Sequence, residues 1–176
     1  MQLRHFAVGV VMVGAIVLLT GCQFGDTKAG AEREAQVKVQ GMLDDFRAEF
    51  VETLDTNQSA EELRSELRTE PFGLDVLIGF SKEELQEAFG EEIPALLDLT
   101  GSGDEIDLHT FFAAPGQAGG GGSYEKLRMY FCADITGTPG AELADIETTL
   151  VPCSDTVRDS LTRNNIDIEA DPDQIK

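Results

Sequence analysis

The apolar positions of this chain change their spacing twice. An unbroken apolar run, residues 6–19, comes first. Between residues 31 and 90, apolar residues recur three or four positions apart, which is the spacing of one helix face. Between residues 106 and 150 they alternate with polar or small residues, which is the spacing of one strand face. The pattern predicts an α+β fold in which helices precede strands.

The longest helical stripe predicts a first helix that begins near Ala31. Its apolar positions, flanked by charged residues, are Val39, Leu43, Phe46, Phe50 and Leu54. Two shorter helices are indicated by capping boxes, in which a Ser hydroxyl caps the helix and a Glu three positions later reaches back to the Ser backbone. These pairs are Ser59 with Glu62 and Ser81 with Glu84.

Two short apolar segments lie between the helical half and the strand half of the chain. Residues 74–80 fit a buried strand and a helical turn equally, because periodicity does not separate the two over so few residues. Residues 93–99 carry Pro94 near their start, where proline suits the first turn of a helix. We expect a helical turn there.

Three alternating segments predict strands at residues 106–114, 126–135 and 144–150. Residues 115–123 contain four consecutive glycines, which lose much conformational entropy in any regular structure. We expect this segment to be a flexible hairpin loop between the first two strands; its composition is also that of an engineered Gly-Ser linker. The strands then form a three-stranded antiparallel meander, and the helices cover one of its faces.

The C-terminal segment begins with a helix signal and ends in acidic sequence. Ser154 is placed to cap a short helix that carries Val157 and Leu161. Residues 164–176 are polar and acidic, and we expect them to form a loosely held tail.

The first 22 residues have the form of an export signal. Arg4 supplies a basic charge, the apolar run follows, and small residues precede a cleavage site. The tetrad Leu19-Thr20-Gly21-Cys22 resembles the lipobox of bacterial lipoprotein precursors. The resemblance implies cleavage between Gly21 and Cys22 and attachment of lipid, including fatty acids such as palmitate, at Cys22. It further implies a location on the extracytoplasmic face of the cell membrane.

A transmembrane helix and a buried core helix are the alternatives for this apolar run. Spanning a bilayer takes roughly 17–25 apolar residues, whereas the run is shorter and contains Gly9 and Gly14. We therefore divide the chain into a signal peptide, a lipidated tether, a single α+β domain and an acidic tail. Their respective bounds are residues 1–21, 22–30, 31–163 and 164–176.

The cysteine count agrees with an exported protein. The chain has three cysteines, and lipidation of Cys22 would leave Cys132 and Cys153 to form one disulfide in an oxidising compartment. If Leu150 lies opposite Ile135 in an antiparallel pair, the two cysteines lie opposite each other, within disulfide reach. A metal pair and a reactive nucleophile are the alternatives, and both lack companion residues.

The charge of the chain restricts its partners. It has 33 acidic and 13 basic residues and a formal net charge of −20. So acidic a surface repels phosphates and anionic lipid headgroups, which argues against a role in nucleic-acid binding. The charge favours a basic protein partner or divalent cations, and it equally serves solubility. The stretch with the largest excess of acidic over basic residues is residues 81–107.

Two segments approach the spacing of a calcium-binding loop and miss it. Residues 55–66 place oxygen-bearing side chains at the required positions, but Ala60 stands where the loop needs Gly. Residues 98–109 place Gly103 correctly and end in His109 where a bidentate Glu is needed. We expect no metal and no other cofactor.

The sequence carries no complete catalytic motif. His5 would leave with the signal, so His109 would be the base of any nucleophilic mechanism. The chain has no G-x-S-x-G elbow, no phosphate-binding P-loop, no dinucleotide fingerprint and no Trp. We therefore expect a protein that is not an enzyme.

Three functions remain, and each predicts a different surface. A non-catalytic ligand- or protein-binding module, which we favour, predicts an apolar pocket between helices and sheet. A structural or envelope-assembly lipoprotein predicts a solid core and a self-complementary interface. An enzyme that uses His109 or an acidic residue predicts a cleft around a group with a perturbed pKa.

Overall fold

A computed structural model describes residues 27–54, 58–69, 73–120, 123–161 and 166–175. In these ranges the chain is α+β, with four α-helices, a mixed sheet of six strands and one disulfide. The predicted signal peptide and its Cys22 lie outside the described residues.

Helix α1, Thr27–Leu54, confirms the predicted amphipathic helix and extends it. It buries seven residues on one face: Ala31, Ala35, Val39, Leu43, Phe46, Phe50 and Leu54. The apolar stripe thus continues two turns toward the N-terminus, in small residues that carry little hydrophobic signal. The helix therefore includes residues 27–30, which the sequence analysis assigned to the tether of residues 22–30.

Helices α2, Ala60–Leu67, and α3, Lys82–Ala88, both begin at the predicted capping boxes. The Glu62 carboxylate accepts a hydrogen bond from the Ser59 backbone at 2.9 Å, and Glu84 accepts one from Ser81 at 2.7 Å. These hydrogen bonds lower the pKa of both carboxyl groups, because they stabilise the charged form.

The six strands form one sheet in the order β1-β2-β3-β4-β5, and β6 also pairs with β4. The strands are β1, Asp75–Val76; β2, Ile93–Thr100; β3, Ile106–Gly120; β4, Ser123–Gly137; β5, Glu147–Val151; and β6, Ile166–Glu169. Strand β1 is parallel to its partner β2, and β6 is parallel to its partner β4. The other pairings are antiparallel. The sheet is therefore larger than the predicted three-stranded meander.

The helical turn predicted for residues 93–99 is wrong, because this segment is strand β2. Ile93 and Ala95 pack in the apolar cluster on one face of the sheet, and Leu96 and Leu99 pack in the cluster on the other face. A strand that is covered on both faces is a continuous apolar run without alternation. The undecided segment 74–80 contains the short strand β1, which pairs with β2.

Residues 115–120 and 123 of the glycine-rich segment, the part that the structure describes, form strand rather than a flexible loop. Pairing of β3 with β4 runs without a break from Ile106↔Gly137 to Gly120↔Ser123. Helix α1 lies directly on this part of β3: a Cβ atom at Gly116 would overlap the carbonyl oxygen of Ala31 and lie 2.7 Å from the Ala35 nitrogen. Glycine is required because two backbones meet here. The hairpin itself is confirmed.

Helices cover both faces of the sheet rather than one. Helices α1 and α2 pack on the first face, over the larger apolar cluster. Helices α3 and α4, Asp155–Leu161, pack on the second face, over Phe111 and Tyr130. The predicted cap of α4 is confirmed, since the Ser154 hydroxyl accepts a hydrogen bond from the Val157 nitrogen at 3.3 Å.

The predicted disulfide is confirmed, although the predicted strand register is wrong by two residues. Cys132 and Cys153 are bonded, with their Cα atoms 5.1 Å apart. Leu150 lies opposite Ala133 rather than Ile135, and Val151 lies opposite Cys132. A shift of two residues keeps every side chain on its face. Cys153 follows β5, where the chain leaves the pairing and turns toward Cys132.

The predicted acidic tail is ordered over residues 166–175 and pairs with the sheet through β6. The Arg128 guanidinium donates to both carboxylate oxygens of Asp167, at 2.8 and 3.2 Å, and each side chain is 7% exposed. Arg128 also donates to the carbonyl oxygens of Gly90 at 2.6 Å and Leu161 at 3.4 Å. One buried cation thus joins β4, β6 and the ends of α3 and α4.

We expect Gly116→Ala to lower the free energy of unfolding by about 1–3 kcal/mol, because its methyl group would force the α1 backbone away from β3. Urea denaturation of the purified protein measures this. Gly120→Ala is the matched control, since a Cβ there meets no atom within 4 Å. Equal effects of the two substitutions would contradict the close contact.

We expect Arg128→Met to lower the free energy of unfolding by about 3–5 kcal/mol, because it leaves the Asp167 carboxylate buried without a counter-charge. Lys126→Met on the same strand removes a more exposed ion pair, to Glu91, and we expect a loss below about 1 kcal/mol. The same denaturation assay compares them. A loss for Arg128→Met no larger than that for Lys126→Met would show that β6 is held by other contacts.

Candidate functional site

A cleft of about 440 Å³ opens between helix α1 and the segments that lead into β1 and β2. Its lining residues are Met42, Asp45, Phe46, Glu49, Gly73, Leu74, Glu92 and Pro94. Phe46 and Leu74 are 3% and 8% exposed, so the cleft has an apolar floor that belongs to the main core. Its position between a helix and the sheet is the one expected of a binding module.

Three carboxylates stand at the rim of this cleft. Asp45 and Glu49 lie four residues apart on α1 and so project from one side of the helix, and Glu92 precedes β2. All three are exposed. Within the residues that the structure describes, none of the three forms an ion pair. The cleft therefore combines an apolar floor with uncompensated negative charge.

Gly73 shapes the rim opposite Glu49. Its φ is +65°, a left-handed conformation that other L-residues rarely adopt. A Cβ atom at this position would lie 3.4 Å from the Glu49 Oε2 atom. Glycine therefore permits the turn and leaves the Glu49 carboxylate accessible from the cleft.

His109 lies elsewhere, on the second face of the sheet beyond the ends of α3 and α4. Its Nδ1 atom is 2.6 Å from the Asp134 Oδ1 atom across the β3–β4 pair. A second pocket of about 430 Å³ includes both residues. The other polar residues that line it are Asp98, Thr100, Asp107 and Thr136. Sequence periodicity placed His109 on a polar strand face, but it did not indicate Asp134 as the partner.

The surface around this pocket, here called the open face, presents one histidine and three carboxylates among its described lining residues. The described residues that line it include no Ser or Cys nucleophile, and the Thr136 hydroxyl is hydrogen-bonded to Asp107 at 2.8 Å. Over the described ranges, no group of three or more His, Cys, Asp or Glu side chains is arranged to hold a metal ion.

The two calcium-loop-like segments have other contacts. In residues 55–66, Ser59 and Glu62 form the cap of α2, and residues 55–57 lie outside the described ranges. In residues 98–109, the Gly103 and Glu105 carbonyl oxygens accept hydrogen bonds from the Arg64 guanidinium. The Arg64 guanidinium thus binds the backbone on both sides of Asp104, the position whose carbonyl a calcium loop would direct at the metal.

The disulfide is sealed inside the second apolar cluster. Cys132 and Cys153 are both 0% exposed, and the Cys153 nitrogen donates to the Glu169 carboxylate at 3.0 Å. The neighbouring Tyr130 lies in the same cluster, where burial and then the Glu169 charge raise the pKa of its hydroxyl. Because the sulfurs are bonded and buried, neither cysteine is a nucleophile or a metal ligand in this fold.

Sequence reasoning did not identify the cleft. The only local signal was a pair of acidic residues four apart beside the apolar stripe of α1, a pattern typical of any solvated helix face. The other lining residues come from segments 73–74 and 92–94, which reach α1 only in the folded chain.

Two further observations bear on function. None of the helices in the described part of the chain combines the length and apolar character needed to cross a membrane. Comparison with known proteins found no matching family model, no matching curated protein and no matching solved structure.

We expect the double substitution Cys132→Ala/Cys153→Ala to lower the free energy of unfolding by about 3 kcal/mol, because it releases a loop closed over 21 residues. Urea denaturation with and without a reducing agent measures this. Reductant should destabilise the parent protein by a similar amount and leave the double variant unchanged. A reductant effect that persists in the double variant would contradict this assignment.

Proposed function

We propose that this chain is the precursor of a bacterial lipoprotein, anchored in the cell membrane through Cys22 on the extracytoplasmic face. The support is the lipobox-like tetrad at residues 19–22 and the apolar run before it. The Cys132–Cys153 disulfide is consistent with an oxidising compartment outside the cytoplasm.

The domain itself is proposed to be a non-catalytic ligand- or protein-binding module. The observation that carries this proposal is the cleft between α1 and β2, a concave site with an apolar floor and charged groups at its rim. The strongly acidic chain makes a basic partner favourable and a nucleic-acid partner unfavourable.

The direction of α1 relates the proposed anchor to the cleft. Ala31 contacts β3 at Gly116, near the hairpin tip, and Leu54 contacts β4 at Gly137, at the far end of the sheet. Cys22 precedes α1 by five residues. At 1.5 Å per residue, Asp45 is about 27 Å along the helix from its start. The proposed anchor therefore joins the start of α1, and the cleft lies further along the helix.

Envelope assembly is the alternative function, and it requires a surface that a partner or a second copy covers. The open face around His109 lies on the second side of the described sheet and carries Asp98, Asp107 and Asp134. Like charges would oppose pairing of this face with itself. An enzyme that uses His109 would have to work at this same open face.

Cys22→Ser tests the anchor. The parent protein should sediment with membranes and incorporate labelled palmitate, because two or three fatty chains hold a protein stably in a bilayer. The Cys22→Ser protein should incorporate no label and remain soluble or unprocessed. The matched control is Cys132→Ser/Cys153→Ser, which keeps the anchor and should still sediment. A processed Cys22→Ser chain that sediments like the parent would refute the proposal.

A further inference from the structure

The rim carboxylates of the cleft at α1 contrast with two carboxylates that are paired with lysines. Elsewhere on α1, Glu34 is paired with Lys38, whose hydrogen bond lowers the pKa of the Glu34 carboxyl group. Beside the cleft, Glu91 is paired with Lys126 with the same effect on its pKa. Asp45, Glu49 and Glu92 have no such partner within the described ranges.

The described residues that line the cleft supply no cation of their own. They include no Lys, Arg or His, and their apolar members are Met42, Phe46, Leu74 and Pro94. A fatty acid or a phosphate ester would place its negative charge against the rim carboxylates and would be repelled. A strongly hydrated ion would leave the apolar floor without a partner.

The size of the cleft limits its occupant further. Its volume of about 440 Å³ lies within the range of sites that hold small organic molecules. A ligand that matches all of these properties has an ammonium or guanidinium group at the rim and an apolar body on the Phe46 and Leu74 floor.

We propose that the cleft between α1 and β2 binds a small organic cation with an apolar body, held by the carboxylates of Asp45, Glu49 and Glu92. This inference deepens the proposed binding function and rests on it. Met42 and Phe46 contact the apolar body, and the three carboxylates select the positive charge.

One methionine methyl group reports on the cleft directly, and a second one serves as a reference. Met42 lines it, whereas Met129 lies in the core against β6 and serves as an internal reference. The experiment uses the full-length protein, expressed with ¹³C-methyl methionine and reconstituted in nanodiscs of zwitterionic lipid. Removal of the signal would also remove Met1 and Met12, so the number of methyl signals reports processing separately from binding.

The probes form a series that shares one apolar body and differs in charge: 4-phenylbutylammonium, 4-phenylbutanol and 4-phenylbutanoate. Spermine supplies charge without an apolar body, and empty nanodiscs correct for partitioning into lipid. The cation should shift the Met42 signal saturably and leave Met129 unchanged. The neutral probe and spermine should bind about tenfold more weakly or less, and the anion should not bind.

Substitutions that neutralise the three rim carboxylates test their role in binding. Asp45→Asn/Glu49→Gln/Glu92→Gln should weaken binding of 4-phenylbutylammonium by about tenfold or more, because three partly exposed pairs are removed. The matched control is Glu52→Gln/Glu61→Gln/Glu83→Gln, which changes the net charge equally at exposed sites that do not line the cleft. Binding by the control should stay within about twofold of the parent.

The outcomes separate the two proposals. Equal binding of the three phenylbutyl probes would leave the cleft a binding site and overturn its selection of cations. Equal binding of spermine and the phenylbutyl cation would overturn the need for an apolar body. A Met42 signal that no probe shifts would overturn this inference without removing the cleft on which the broader binding function rests, and the count of methyl signals would still test the anchor.

Discussion

The contact between the backbones of α1 and β3 at Gly116 is the constraint on which this architecture depends. It allows the helix to lie directly on the strand, so that the α1 stripe is buried along the length of the hairpin. A side chain at Gly116 would separate the helix from the sheet. The same placement brings Asp45 and Glu49 beside the segments that enter β1 and β2, and so it creates the cleft.

The second face of the sheet is held by contacts of a different kind. The Cys132–Cys153 bond and the Arg128–Asp167 ion pair fasten α4 and β6 to β4. Both lie at the half of the face that α3 and α4 cover, and the other half is left open around His109. The described residues thus form an acidic cleft on one side of the sheet and an acidic pocket of similar size on the other.

The sequence did not predict the cleft, although it correctly predicted helix α1, which forms one wall of it. Asp45 and Glu49 were recognised only as solvated residues that flank the α1 stripe. Pro94 lies in β2 and Glu92 directly precedes this strand. The strand was misassigned because burial on both faces removes the alternation that marks a strand. Gly73 acquires its importance from a left-handed turn beside Glu49, and neither the turn nor the neighbour is encoded in adjacent residues.

The sequence by itself determined the α1 stripe, the caps at Ser59, Ser81 and Ser154, the alternation of the β3–β4 hairpin and the cysteine pair. These features depend on residues within a few positions of one another or on the small number of cysteines. Tertiary structure alone decided that residues 116–120 form a strand, that residues 166–169 join the sheet, and that three carboxylates surround one cleft. Each of these depends on backbone approach, a buried counter-charge or distant segments meeting, and no local period in the sequence records such contacts.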